Sequence, residues 1–592
     1  MTAPIDRALL LPEPELPDIA ELIAEGRKLA RSVSPGRSAF LDHYGVSSEA
    51  EYKRRCMEEG RVMLHAQIGL QDTGETRRAC AEIWERLDKK GYRLDRFGFC
   101  FDNSMGYPPH MRAGMPRGVS MVMETEEEWG LLTAAAPVAC HFGDFVIGQP
   151  AAVENAVMAI EAGGTTLGNL AQLYTYRLLY MDDDVQRAAA SVKAIAMTGA
   201  LPIEVLIHSN NDDGYGPIFT DLACCFGLAL VERHIVNDLL GGTYAASFGN
   251  MFRTPLNRMA YQRALERISD APASMIYGNT TLYDMDHTEN RAILANYLTF
   301  DVAAQMDRPT GHALVPIPVT EYERIPDANE IVEVHVFANR LIERAAKVQP
   351  LIDFAVVDAV ADDLIEGGER FRDNLLKGFA EAGIDTTNAL EMLLAILRAG
   401  PRRLEAWFGP GVEDEAAPRG KRAMVAMENI VELERMGDDS LAALPPEQAA
   451  AIRSRGYTAC LASTDVHEYG KMLLEQVMQG LDVGVLDGGV NADPDDLAAL
   501  ARDGEADFIA LSTYNGIALS YLRSLRAEMA KIDLDIPVYV GGRLNQVPEG
   551  SNTSLPVDVS GRLGDAGGTA CPDLETMLAS LAASPERGDR AA

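Results

Sequence analysis

The sequence predicts an α/β protein with two sheet-forming domains: a (β/α)8 TIM-type barrel followed by a smaller open α/β domain at the C-terminal end. Three observations predict it. A chain of 592 residues is too long for a single core. Between about 60 and 320, short runs rich in β-branched or aromatic residues alternate with longer helical patterns, and roughly eight such units in about 260 residues are what a barrel requires. A second strand–helix alternation starts at 456, after a linker rich in Gly, Pro and charge.

Taken in order, residues 1–55 join a proline-rich start to the helical stretch ELIAEGRKLARSV, an arm suited to packing on another domain or subunit. The barrel is expected over 56–327. Its strand candidates are RVMLHAQIG, RFGFCFD, GVSMVM, PVACHF, PIEVLIH, GTYAASFG, SMIYGN and HALVPIPV. Residues 328–408 carry apolar residues at three- and four-residue spacing and read as a layer of amphipathic helices. A linker and one helix fill 409–455, the second α/β domain spans 456–585, and 586–592 is a tail.

Composition narrows the function classes. Asp plus Glu number 88 against 53 Lys plus Arg, and a net charge of −35 argues against a grip on nucleic-acid backbones. No unbroken apolar stretch reaches membrane-spanning length, and MTAPIDRALLLPEPELPD lacks the basic start and apolar run of a signal peptide. A cytoplasmic protein without membrane partners is expected. The 8 cysteines (56, 80, 100, 140, 224, 225, 460 and 571) form no C-x-x-C pair and no metal-spaced cluster. Cys224 and Cys225 lie in an apolar helical pattern and read as core. An iron–sulfur radical centre has no cysteine triad to hold it.

The chemistry-bearing motif follows the strand YTACLAS. Asp465-x-His467-x-x-Gly470 stands on the loop between that strand and the helix KMLLEQVMQGL, where open α/β sheets bind ligands. A loop histidine can bind a metal through one ring nitrogen while the other donates to a carboxylate, here Asp465. Gly470 permits a tight turn beneath a large planar ligand. Later strands end on small residues: Ser512-Thr513 before Tyr514, Gly541-Gly542, and finally Gly568-Thr569. A helix-capping histidine on a response-regulator-like domain is the plainer alternative.

These elements, over about 457–583, resemble the flavodoxin-like B12-binding domain of cobalamin-dependent mutases and corrinoid methyltransferases. The resemblance implies that His467 is the lower cobalt ligand, held by Asp465. It also implies that Gly470, Ser512, Thr513, Tyr514, Gly541, Gly542, Gly568 and Thr569 line the cofactor's nucleotide tail. VYVGG and the late G-T-x-x-P pattern are most similar to glutamate mutase. Tyr514 departs from the family's S-x-L triplet and sets a larger ring at the wall of that pocket.

A barrel joined to such a domain is similar to the carbon-skeleton mutases. That likeness implies adenosylcobalamin, a small carboxylic-acid substrate, and a barrel mouth that keeps a radical from water. A homodimer or higher homo-oligomer is expected. Candidate substrate polarisers are His141 and His208, each read at the end of a strand. Candidate carboxylate ligands are Arg112, Arg117 and Arg253. Structural roles for these residues remain open. So do an acyl-CoA mutase, an aminomutase that also uses pyridoxal phosphate, and a corrinoid methyltransferase. Lys471, the lysine nearest the motif, reads as helix surface.

Overall fold

A computed structural model describes residues 5–115, 120–181, 183–212, 214–269, 271–415, 417, 420–464, 468–514, 516–546 and 557–584. The chain forms two compact units. One comprises Met1–Tyr174 with Asp183–Asn429, the other Thr175–Asp182 with Ile430–Ala592.

In the first unit, α1 (Glu49–Glu58) precedes a strict strand–helix alternation. The strands are β1 (Met63–Ile68), β2 (Arg96–Phe99), β3 (Ala139–His141), β4 (Thr166–Leu167), β5 (Leu206–Asn210), β6 (Thr243–Ser247), β7 (Met275–Ile276) and β8 (Ala313–Leu314). The intervening helices are α2 (Thr73–Asp88), α3 (Glu126–Thr133), α4 (Ala152–Glu161), α5 (Asp184–Gly199), α6 (Leu222–Arg233), α7 (Pro255–Ile268) and α8 (His287–Asp307), and α9 (Ala328–Ala345) follows β8. Local chemistry sets these boundaries. Ser48 accepts from Glu51 N at 3.2 Å to cap α1, Asp72 accepts from Glu75 N at 2.7 Å to cap α2, and Thr125 with Glu128 forms a capping box on α3. The strands pair in parallel as β3-β2-β1-β8-β7 and β4-β5-β6. Two isolated parallel bridges, Phe142 to Leu167 and Phe248 to Ile276, connect strand neighbours across the two sheets.

Seven of the expected strand runs form strands. GVSMVM does not: Met121 makes only a parallel bridge to Phe101, and 116–119 lie outside the described residues. The strand in its place is β4, two residues within the stretch GGTTLGN. The helical stretch beyond α9 forms α10 (Phe354–Glu381) and α11 (Ala389–Phe408). Cys224 and Cys225 are core residues of α6, as their apolar setting implies.

One buried polar group outside the strand interior has a measurable signature. Glu232 of α6 is 0 % exposed and accepts from Tyr244 OH at 2.8 Å and Asn211 Nδ2 at 3.1 Å. Burial pushes its carboxyl up from 4.5 to about 7. Between those values the folded state holds a proton that the unfolded state has lost, so this group's contribution falls as pH rises through the window. Above it, the buried carboxylate costs about 3 kcal/mol. Glu232→Gln is therefore expected to be more favourable relative to wild type at pH 8 than at pH 5, by up to about 3 kcal/mol in urea unfolding. An identical difference at both pH values would refute the assignment.

The second unit is a doubly wound parallel sheet. Its strands are β9 (Thr458–Ser463), β10 (Gly484–Val490), β11 (Phe508–Thr513), β12 (Val538–Gly542) and β13 (Thr569–Cys571), in spatial order β10-β9-β11-β12-β13. Numbered from the first, this is the flavodoxin-like order 2-1-3-4-5. The helices between and after its strands include α12 (Tyr469–Gly480), α13 (Pro494–Asp503), α14 (Ala518–Lys531) and α15 (Leu574–Ala583). Period-two alternation in β9 feeds both faces. Cys460 and Ala462 pack with Leu497, Leu519 and Leu522, whereas Ala459 and Leu461 pack with Val477, Met478 and Met577. The segment Thr175–Asp182 belongs to this unit, where Arg177 Nη2 meets Asp493 Oδ2 at 2.8 Å and Asn491 Nδ2 donates to Arg177 O at 2.8 Å.

Candidate functional site

In the flavodoxin-like unit the strand order reverses between β9 and β11, the switch point at which open α/β sheets bind ligands. Parallel register aligns Ser463, Ser512, Gly541 and Cys571 across the C-terminal ends of four strands. Beneath them lies a cleft of about 190 Å³, walled by Leu473, Leu474, Tyr539 and Met577 and lined also by Gly470, Ser512, Gly541 and Gly542. Two of those glycines are required by close approach. A Cβ on Gly470 would stand 2.4 Å from Ser512 Oγ. Gly542, at φ +96°, would place one 2.2 Å from Thr513 O. Small residues here let α12 and the strand ends close on each other while leaving the cleft open.

The walls suit a planar aromatic group. Thr464 Oγ1 and Thr513 Oγ1 are buried at the adjoining strand ends without a hydrogen-bond partner among the described residues. Asp465 and His467, the expected cobalt-holding pair, lie outside the described residues. Tyr514 is not part of the cleft lining; the Arg543 guanidinium lies 4.1 Å from its ring centroid. Gly568 and Thr569 are also absent from it: they lie at the N-terminal start of β13, and Cys571, Pro572 and Asp573 line the cleft instead. Lys471 corrects the surface assignment. Its side chain is 2 % exposed, and Nζ meets Asp487 Oδ1 at 2.6 Å, so an ion pair offsets the cost of burial.

Filling the cleft gives a direct test of its role. Gly541 has no positive φ, and its nearest non-neighbour atom to an added Cβ is Cys571 O at 3.3 Å. If the cleft takes the cobalamin tail that the resemblance implies, Gly541→Leu is expected to fold and to weaken cobalamin binding by about tenfold or more, because the side chain occupies space a bound group would need. Equilibrium dialysis against cobalamin would reveal this; unchanged affinity would place the cofactor elsewhere.

In the first unit, the strand interior gathers a second cluster. Arg96 of β2, 1 % exposed, donates through Nη2 to His141 Nδ1 at 2.7 Å and to Ser274 Oγ at 3.0 Å. Its Nε faces Glu49 Oε1 at 2.9 Å. Lys53 Nζ donates to the carbonyls of Ala273, Ser274 and Gly311 at 2.6, 2.6 and 2.7 Å and lies 3.4 Å from Glu49. His208 Nδ1 meets Ser274 Oγ at 2.8 Å, and the His141 and His208 ring centroids are 4.6 Å apart.

Burial is the largest influence on these groups, followed by the cations. It drives His141 and His208 well below the ordinary imidazole range, reinforced by Arg96. It lowers Lys53 to about 7, while Glu49 opposes the shift. Burial raises Glu49, but Arg96 and Lys53 outweigh it and hold the carboxyl below its usual range.

The structure places His141 and His208 together with Arg96, Glu49, Lys53 and Ser274, which the sequence reading did not single out. The sequence signal is confined to strands, as with His65 and Gln67 at alternate positions of β1, and gives no hint of Glu49 and Lys53 on α1. Arg112 is engaged by its own loop and by α4, donating to Tyr107 O, Met123 O, Met105 O and Asn155 Oδ1. Arg117 lies outside the described residues, and Arg253 is half-buried after β6. Among the described residues no His, Cys, Asp and Glu cluster could hold a metal, and no helix is long and apolar enough to cross a membrane.

Comparison with known proteins bears on the second unit. Residues 456–559 match the B12 binding domain family. Among solved structures, a novel cobalamin-binding protein from Desulfitobacterium hafniense DCB-2 is 17 % identical over 26 % of this chain and 80 % of its own, with a TM-score of 0.18. At that score the likeness carries no weight. The family match supports cobalamin binding by this unit, and its α/β sheet of parallel strands is Rossmann-like.

Proposed function

We propose that this chain is an adenosylcobalamin-dependent radical mutase that rearranges the carbon skeleton of a small carboxylic or amino acid such as glutamate or 2-methyleneglutarate. The observation that carries the reading is the presence, on one chain, of a B12-binding match over a switch-point cleft and of eight parallel β/α units enclosing a buried cationic and imidazole cluster. We read the eight strands as a closed (β/α)8 barrel. Bridges at Phe142–Leu167 and Phe248–Ile276 support that reading, because with them every strand has two parallel neighbours.

The bound cofactor supplies a carbon-centred radical. The protein's own tasks are to hold cofactor and substrate and to exclude water. His467, oriented by Asp465, would ligate cobalt. Gly470, Ser512, Gly541 and Gly542 would border the nucleotide tail, with Thr464 and Thr513 offering hydroxyls beside it. In the barrel, His141 and His208 would donate hydrogen bonds to substrate oxygen. Arg253 and Arg117 would meet a carboxylate, and Arg112 would tie Met105 and Tyr107 to α4. Arg96 and Lys53 outnumber Glu49 in buried charge, which favours an anionic ligand nearby.

The test is anaerobic incubation with adenosylcobalamin and, in parallel, glutamate, 2-methyleneglutarate or short acyl-CoAs, read by optical and electron paramagnetic resonance spectra. A substrate-dependent organic radical coupled to low-spin cobalt with either free acid is expected. A signal only with acyl-CoAs would replace the substrate class, and tight binding with no radical would favour methyl transfer.

A further inference from the structure

His141 Nε2 is a buried polar atom with no hydrogen-bond partner among the described residues, on a side chain that is 2 % exposed. Leaving such a group unsatisfied costs about 1–3 kcal/mol, so its setting calls for an explanation. The opposite nitrogen provides one. A guanidinium has only donors and keeps its charge. Arg96 Nη2 at 2.7 Å therefore makes His141 Nδ1 an acceptor and leaves the ring's single proton on Nε2.

The same guanidinium acts on a second ring. Ser274 Oγ accepts from Arg96 at 3.0 Å and contacts His208 Nδ1 at 2.8 Å. Ser274 is 0 % exposed, and its hydroxyl has no third partner among the described residues. The hydroxyl proton thus goes to His208 Nδ1, which puts the proton of that ring on Nε2 as well. Glycines just beyond strand ends pack against both rings. A Cβ on Gly143, after β3, would stand 2.3 Å from His141 Nε2, and one on Gly168, after β4, would stand 2.6 Å from His208 Cδ2. A side chain at Gly143 would cover the His141 Nε2 donor, so the position requires glycine.

We infer that Arg96 is a positioning residue that locks His141 directly, and His208 through Ser274, as neutral Nε2–H donors aimed at an acceptor oxygen of a carbonyl or carboxylate. The inference rests on the reading of this barrel as the substrate site, and it fixes what the two histidines can do there. Protonating His141 would set an Nδ1–H against a guanidinium N–H, so the ring donates a hydrogen bond without cycling as a general acid or base. The groups facing it agree: Arg96 from β2, Lys53 and Glu49 from α1, His65 from β1 and His208 from β5, with cations in excess of carboxylate.

Nuclear magnetic resonance of the full-length protein, labelled with nitrogen-15 at histidine and free of cofactor, reads ring tautomers directly. His141→Gln and His208→Gln assign the two signals. In the wild type both rings are expected to remain in the neutral Nε2–H form from about pH 5 to 8. Arg96→Met should give His141 mixed tautomers or a titration. Ser274→Ala, a smaller change expected to keep the fold if Arg96→Met does not, should release the His208 signal and leave that of His141 in place. An Nδ1–H tautomer or a titration near 6.5 for wild-type His141, or a His208 signal unmoved by Ser274→Ala, overturns the inference. Because the measurement needs no cofactor or substrate, locked tautomers without any radical would sink the mutase reading alone.

Discussion

Replacing His467 with Gly is expected to weaken cobalamin binding by more than about a hundredfold, and to leave what does bind with the spectrum of a cofactor lacking a protein imidazole ligand. Loss of a carboxylate that orients a ligating histidine costs about 10–100-fold in metal affinity, and loss of the ligand itself should exceed that. Asp465→Asn supplies the smaller comparison, expected within about 10–100-fold with the imidazole ligation retained. The order of the two effects is diagnostic. A helix-capping histidine would give Asp465→Asn and His467→Gly similar, small effects on affinity, and both would act through the stability of α12. Gly541→Leu separates cleft from ligand, since it should lower affinity while the wild-type spectrum persists in the fraction bound. Equal affinity and spectrum for His467→Gly and the wild type would end the claim that this residue holds cobalt.

The second unit was legible because its chemistry is local. Strands β9, β11 and β12 are largely apolar runs ending on small residues, and in such folds ligands meet the strand ends. The structure departs from that reading at the last strand. Gly568 and Thr569 look like a terminal binding pair, yet the chain enters β13 at Thr569, so Cys571 and Asp573 reach the cleft. Lys471 was misread because helix position alone gives no hint that Asp487 waits on the neighbouring strand.

In the first unit, strands with apolar runs were recognisable, but β4 has only Thr166 and Leu167 between glycine-containing turns and has no period to detect. The assignment of Thr175–Asp182 to the second unit has no compositional mark, because Asp493 and Asn491, which hold Arg177, are some 300 residues away in sequence. The cluster around Arg96 is hidden for the same reason. His141 and His208 were visible as strand-end histidines, whereas Glu49 and Lys53 on α1 look like ordinary surface charges until α1 is placed against the strand starts.

That burial makes Glu49→Gln the substitution with the largest expected effect on stability. Gln keeps the shape and can still accept from Thr166 Oγ1, which donates to Glu49 Oε2 at 2.7 Å, so the change isolates the charge. Arg96 and Lys53, 1 % exposed each, would then share a dry interior with no carboxylate in contact among the described residues. Breaking a buried ion pair in this way costs about 3–5 kcal/mol, a large part of the net stability of a domain. The half-exposed pair Arg54 and Glu204 is the control, and Glu204→Gln should cost no more than about 1 kcal/mol. The pH dependence identifies the partner. Lys53 has its folded value lowered from 10.5 to about 7, so the folded state binds fewer protons than the unfolded state within that window, and its contribution to stability rises with pH there. Removing Glu49 lowers the folded value further and extends the window downward. The deficit of Glu49→Gln is therefore expected to be largest below about pH 7 and to shrink as the pH rises through it. Urea unfolding at pH 6 and pH 9 measures both features. A loss of under 1 kcal/mol, or one with the same size at both pH values, would mean that Glu49 does not carry the counter-charge for Arg96 and Lys53.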